Sequence, residues 1–195
     1  MTNPDRTLLQ DDLQEACRVL AEGGLILYPT DTIWGIGCDA TNEKAVERVY
    51  ALKQRIDSKA LIVLVDAEAK VDYYVDQPND LAFDLMEMAT RPLTIIYDHA
   101  RNLAPNLVSG DGSVGIRVTR EAFSQQLCAR FRKAIVSTSA NVSGQPSAAC
   151  FADIDPTIVA GVDYVVRYRQ DEKPDDAQPS SIVKLFRDGQ VQVIR

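Results

Sequence analysis

Histidine is almost missing from this chain, with His99 alone among 195 residues. A Cys/His zinc site and a Ser-His-Asp triad both need a better supply. Cysteine does little to help. Cys17, Cys38, Cys128 and Cys150 stand too far apart for a CxxC metal or redox motif. The expectation is four structural, reduced thiols in a cytoplasmic protein, with His99 on a surface loop. No apolar run approaches the length of a membrane span, and "MTNPDRTLLQDDLQ" lacks the apolar core of a signal peptide. Positive charge is not in excess either. Lys and Arg number 21 against 28 Asp and Glu, for a formal net charge of -7. That balance argues against a generally basic, nucleic-acid-coating surface but leaves room for a local cationic groove.

What remains is the composition of a folded domain, 46% hydrophobic and 25% charged. The length suits one well-buried α/β domain covering residues 1–195, with no repeat or linker to divide it. "LLQDDLQEACRVLAEGG" places Leu9, Leu13, Ala16, Cys17, Leu20 and Ala21 at helical spacing and ends on Gly23-Gly24, as a C-cap would. "LILYPT" is a short strand stopped by Pro29. "TNEKAVERVYALKQ" is an amphipathic helix with Ala45, Val46, Val49 and Leu52 inward and Thr41 or Asn42 as cap. The strands "ALIVLV", "RPLTIIYD", "GSVGIRV" and "KAIVSTSA" follow, with helices "NDLAFDLMEMA" and "REAFSQQLCARFR" between them. Three β-type runs, "VDYVVRY", "SSIVKLF" and "VQVIR", close the chain. "RQDEKPDDAQPS" reads as a mobile charged loop and "RDGQ" as a hairpin turn. Alternation followed by successive strands predicts an α/β fold, a single domain with an open, twisted mixed sheet. Ligands in such sheets bind in crevices at strand ends.

Three polar segments sit at those ends. "PTDTIWGIG", Pro29 to Gly37, puts small hydroxyls, a carboxylate and two glycines directly after a strand. It reads either as a turn held by its own side chains, with Trp34 half-buried, or as backbone made accessible to a ligand. "KQRIDSK" gathers Lys53, Arg55 and Lys59 within seven residues. The helix macrodipole explains cations there, and so would a bound phosphate. "STSANVSGQPS", Ser137 to Ser147, carries four serines, a threonine and an asparagine after an apolar strand. Hydroxyls and backbone N–H groups in that position can cradle an anion without adding charge. Each segment alone has a plain structural explanation. Three at strand ends of one sheet favour a site.

In sequence detail, "YPTDTIWGIG", "KQR", "STSAN" (with Ser139 and Asn141 as S-x-N), "SVGIRV" and "QPSSIVKL" resemble, in order, the motifs of the YrdC/Sua5 family of L-threonylcarbamoyladenylate synthases. The resemblance runs from about Gly23 to Arg195 and is to the short, single-domain form. It departs at Ile56, where proline is usual, at Arg91, where glycine is usual, and at Pro179, where the family has an acidic residue. The resemblance implies a YrdC-like fold with a large concave groove. It also implies a reaction, in which L-threonine, bicarbonate and ATP give threonylcarbamoyl-AMP and pyrophosphate for the t6A modification of tRNA.

By the same resemblance, Lys53, Arg55, Ser139 and Asn141 would form the catalytic set. Lys53, Arg55, Lys59, Ser113, Ser139, Ser147 and Arg195 would bind ATP, with Mg2+ carried in on the triphosphate. Thr30, Arg117, Ser137 and Ser180 would bind threonine, Arg117 on its carboxylate and Thr30, Ser180 and Ser181 near its hydroxyl. The partners would be these small molecules and the t6A machinery that receives the product, with no membrane. The alternatives are a protein that binds double-stranded RNA or tRNA in the groove, or an ATP-binding paralogue with another substrate. An acidic chain with few aromatics near its cations is poorly made for RNA.

Overall fold

A computed structural model describes residues 3–54, 61–172 and 178–195. The first helix, α1 (Asn3–Ala21), buries Leu9, Leu13, Ala16 and Leu20, as the spacing predicts. It ends where the Gly24 N–H bonds the Val19 carbonyl and the Gly23 N–H bonds that of Leu20, with Gly23 at a φ of +79°. That is a Schellman-type stop, which glycine adopts without a Cβ clash. Strand β1 (Ile26–Tyr28) follows. Helix α2 (Glu43–Leu52) is capped by the Asn42 side chain, which accepts from the Ala45 N–H.

The predicted strands form as β3 (Ile62–Val65), β4 (Leu93–Tyr97), β5 (Val114–Val118), β6 (Ile135–Ser139), β7 (Tyr164–Val165), β8 (Ser181–Leu185) and β9 (Val191–Val193). Helix α4 (Leu81–Met88) precedes β4, and α5 (Ala122–Phe131) joins β5 to β6. The Asp188-Gly189 turn closes the β8–β9 hairpin, with Gly189 at a φ of +85°. Residues 173–177 of the expected mobile segment lie outside the described residues.

Three elements were not expected. The glycine-bearing segment Gly35–Gly37 is a strand, β2, rather than the end of a loop. Glycine is a poor strand former, but here pairing on both sides decides. Tyr28 faces Gly35 and Ile26 faces Gly37 on one edge, while Ser139 faces Gly35 on the other. A Cβ on Gly37 would lie 2.7 Å from the Tyr28 ring, so that glycine makes room for an aromatic. Two short helices also appear, α3 (Val71–Tyr74) and α6 (Pro156–Gly161). The latter carries a legible start signal, Asp155 capping the Thr157 N–H with Pro156 in the first turn.

The described strands form one mixed sheet in the order β7-β1-β2-β6-β3-β5-β4-β8-β9. Pairs β1–β7, β3–β5 and β4–β8 are parallel, and the others are antiparallel. Side chains alternate across the sheet. Val63, Val65, Ile116, Val136 and Ile95 are buried on one face, where α5 packs on β3 and α1 on α5. Ile62, Gly115, Arg117, Ser137, Ser139, Thr94 and Ile182 point to the other, which is hollow.

Candidate functional site

That hollow is a groove of about 910 Å³. Its floor is the middle of the sheet, and its rim is made by the β1–β2 connection, the end of α2, the loop after β6 and the segment entering β8. Of the residues predicted for the site, Lys53, Ser113, Arg117, Ser137, Ser139, Asn141, Ser147, Ser180 and Arg195 line it together. Arg55 and Lys59 lie outside the described residues.

Two predicted residues sit elsewhere. Thr30 is buried and its hydroxyl is committed within its own loop, donating to the Ile33 carbonyl at 2.7 Å and accepting from the Thr32 N–H. This is an ST-type turn, and Thr32 reaches the groove wall in its place. Ser181 is exposed on β8 and does not line the groove. Trp34, expected to be half-buried, is nearly enclosed and packs its ring 5.0 Å from that of Phe151. His99 is exposed, while Cys38, Cys128 and Cys150 are buried.

Lys53 is only 2% exposed. Its ammonium donates to the carbonyls of Ser139 at 2.5 Å and Asn141 at 2.7 Å, and its own carbonyl accepts from the Ser143 N–H. The Asn141 amide in turn donates to the carbonyls of Val142 and Gln145. The lysine and the asparagine thus tie the serine loop to the end of α2, which fixes where Ser139, Ser143 and Ser147 face the groove. Ser113 has a similar anchor. Its hydroxyl and N–H both donate to Asp111 Oδ1, and Lys184 approaches the other carboxylate oxygen at 3.1 Å. Those donors, Ser113 first, hold the Asp111 carboxyl down to about 2.

At the far end, Arg117 on β5 is 3% exposed and meets Asp31 at 3.1 Å. Burial pushes the guanidinium down and the Asp31 carboxyl up, each partly countered by the other's charge. Beside them the Thr94 and Ser180 hydroxyls share a 2.9 Å hydrogen bond, and the Ser180 carbonyl accepts from Arg195 Nε. Asp31 and Thr94 were not singled out from the sequence. Asp31 stood inside the quoted "PTDT" as a carboxylate in a polar loop, which was the available signal; its place beside the arginine comes from the fold.

A groove with two deep cations, a ring of small hydroxyls and an open rim suits an anionic ligand with several polar ends. The Sua5/YciO/YrdC family model, described as telomere recombination, matches residues 18–195. A threonylcarbamoyl-AMP synthase of Pseudoalteromonas translucida is 34% identical over 176 residues, 89% of this chain and 92% of that protein. A namesake from Pseudomonas aeruginosa is 41% identical over 137 residues, 69% of this chain and 73% of its own length. Among solved structures, Sua5 of P. abyssi complexed with L-threonine superposes with a TM-score of 0.84 at 21% identity. The match covers 94% of this chain and 53% of that one, so this chain spans about half of it.

Proposed function

The chain belongs to the Sua5/YciO/YrdC family, and from that premise we infer that it is an L-threonylcarbamoyladenylate synthase. It is then a nucleotidyltransferase that joins L-threonine, bicarbonate and ATP into threonylcarbamoyl-AMP, releasing pyrophosphate and supplying t6A modification of tRNA. The observation that carries this reading is the convergence of Lys53 at the end of α2, the serine loop, the β5 arginine and Arg195 on one groove of about 910 Å³. A nucleotide and a small amino acid fit together in such a volume.

The chemistry asks the protein for little covalent work. The threonine amine, formed when its ammonium gives up a proton, attacks bicarbonate; a C–N bond forms, and the bicarbonate hydroxyl leaves as water with a second amine proton. A carbamate oxygen then attacks the α-phosphorus and the bond to pyrophosphate breaks. Anions are brought together and another departs, so positioning and charge stabilisation dominate. Arg195, with Arg55 and Lys59, would meet the phosphates, and Ser113, Ser139 and Ser147 would seat the nucleotide. Lys53 and Asn141 would act by holding the loop that presents those serines. Arg117 would take the threonine carboxylate, with Ser137 and Ser180 beside it. Mg2+ would enter bound to phosphate oxygens.

Incubation with ATP, L-threonine and bicarbonate, read by pyrophosphate release, tests this. Release that needs all three, and that runs much faster with threonine than with valine, is expected; serine should be intermediate. A site that hydrogen-bonds the hydroxyl leaves polar groups stranded when a methyl replaces it. Equal release with all three amino acids, or none with threonine, overturns the assignment. Among the described residues, the groove cations Lys53 and Arg117 are too deep to track the phosphate backbone of an RNA.

A further inference from the structure

The Arg117–Asp31 pair has more hydrogen-bonding capacity than the described residues satisfy. Arg117 Nε is buried with no hydrogen-bond partner among them. Asp31 Oδ1 is in the same position, because its 3.1 Å approach to Arg117 Nη2 is out of hydrogen-bond alignment. One unmet donor and one unmet acceptor, of opposite charge, therefore stand side by side. Buried polar groups are nearly always satisfied, so two in one ion pair need a reason. The pair also sits between two cavities. Arg117 lines the large groove, and Asp31 lines a neighbouring one of about 310 Å³ with Met86, Leu93, Val118, Arg91 and Arg120. The carboxylate therefore has space to turn away from the guanidinium.

We propose that Asp31 and Arg117 together form a receptor for an α-amino-acid zwitterion, with Asp31 taking the α-ammonium and Arg117 the α-carboxylate. This rests on the threonine reading above and adds the amine-binding residue to it. An α-amino acid carries its donor and its acceptor on adjacent groups of one carbon, which matches the adjacent orphan atoms. A ligand bringing only a carboxylate would draw Arg117 away and leave Asp31 desolvated beside a neutralised partner, the costly outcome for a buried charge. A ligand bringing both charges keeps both residues paired. The receptor therefore selects for the amine that must later attack bicarbonate, and it holds that amine at a fixed side of the carboxylate.

Arg91, Arg120 and Glu121 share that cavity with Asp31; Arg120 pairs with Glu68 at 3.6 Å, and Glu121, the N-cap of α5 and the other carboxylate there, pairs with Arg169 at 3.2 Å. With that carboxylate already engaged, Asp31 is the one left for the ammonium.

Calorimetric titration with L-threonine and with β-hydroxybutyrate, which is threonine without its amine, tests the proposal. The parent is expected to favour threonine by about a hundredfold or more, since a site built around a polar group rejects analogues lacking it. Asp31→Asn should weaken threonine at least about tenfold, the scale of one lost charged hydrogen bond, and leave β-hydroxybutyrate unchanged or tighter. Arg117→Met should weaken both. Asp31→Glu, which keeps the charge, should retain preference for the amine and serves if the asparagine variant folds poorly. Threonine binding unchanged in Asp31→Asn, or both ligands weakened equally, would reduce Asp31 to orienting the arginine and overturn the proposal. A parent that binds no α-amino acid overturns it too. A parent that selects for the amine yet releases no pyrophosphate would remove the synthase reading and leave the receptor standing.

Discussion

Two aspartates in this protein are largely buried beside an arginine, and they are built in opposite ways. Asp12, on α1, is fully enclosed and fully satisfied. Its Oδ1 accepts from the Tyr164 hydroxyl at 2.7 Å and Arg167 Nε at 2.9 Å, and its Oδ2 from the N–H groups of Arg167 at 2.8 Å and Tyr168 at 2.7 Å. An ionised carboxylate has about four lone-pair sites, and all are used. Asp31 keeps 13% of its side chain exposed, and its contact with Arg117 is unaligned and leaves a buried atom of each residue unmet. Burial alone therefore does not mark a working polar group. Saturation does: the saturated aspartate locks α1 to the chain after β7, and the unsaturated one keeps capacity for something else.

The largest expected effect breaks the saturated side. Asp12→Ala strands two backbone N–H groups and a tyrosine hydroxyl, and should cost about 2–4 kcal/mol of stability. Chemical denaturation checks this, with pyrophosphate release by the folded fraction expected to stay at the parent level. Loss of activity at full stability would mean the two aspartates are not the opposites described.

The matching variant on the unsaturated side is the double change Asp31→Asn with Arg117→Met. Replacing a buried ion pair by neutral groups of similar size is often near neutral, so stability should move by no more than about 1 kcal/mol. Threonine-dependent pyrophosphate release should fall about a hundredfold or more, equivalent to roughly 2.7 kcal/mol of transition-state stabilisation. Arg117→Ala alone should lose threonine dependence before it loses ATP binding. A double variant that is strongly destabilised while active would show the pair to be structural.

A smaller contrast separates two cations of the KQR segment. Lys53→Ala removes the ammonium that holds the Ser139 and Asn141 carbonyls. It should weaken ATP binding by about 1.5–3 kcal/mol and lower stability as well. Arg55→Ala should weaken ATP binding on the same scale with stability intact. Paired titration and unfolding curves decide. Lys53→Ala that binds ATP like the parent would dissociate the serine loop from the nucleotide.

This split also measures what the sequence disclosed. Periodicity and turn residues placed the long elements, because each is dictated locally: the Leu9–Leu20 stripe, the Gly23-Gly24 stop, the Asp188-Gly189 hairpin. Strand β2 escaped because its identity comes from neighbours on both edges, with Gly37 there to admit the Tyr28 ring. The three polar segments were legible as a group, and the groove collects residues from all of them. What each residue does within the groove was less visible. Thr30 and Thr32 look alike in "PTDT", and only the fold turns one inward to the loop and the other to the wall. Asp31 carried no mark of its pairing, because the arginine it meets is set by the register of β5 in the sheet.

The smallest expected effect concerns an exposed carboxylate with full partners, which extends the comparison to the surface. Asp111 accepts from Ser113 twice and from Lys184, and is held at about 2 against an ordinary 3.8. A carboxyl held lower in the folded state than in the unfolded one adds stability that is complete above the ordinary value. That contribution fades as the pH falls from 3.8 towards about 2. Water screens so open a group, so Asp111→Asn should cost under about 1 kcal/mol at neutral pH. Stability curves of parent and variant are expected to run apart above pH 4 and converge on acidification. Curves that stay parallel to low pH would mean the turn at Ser113 holds without the charge, and that saturation matters only where water is excluded.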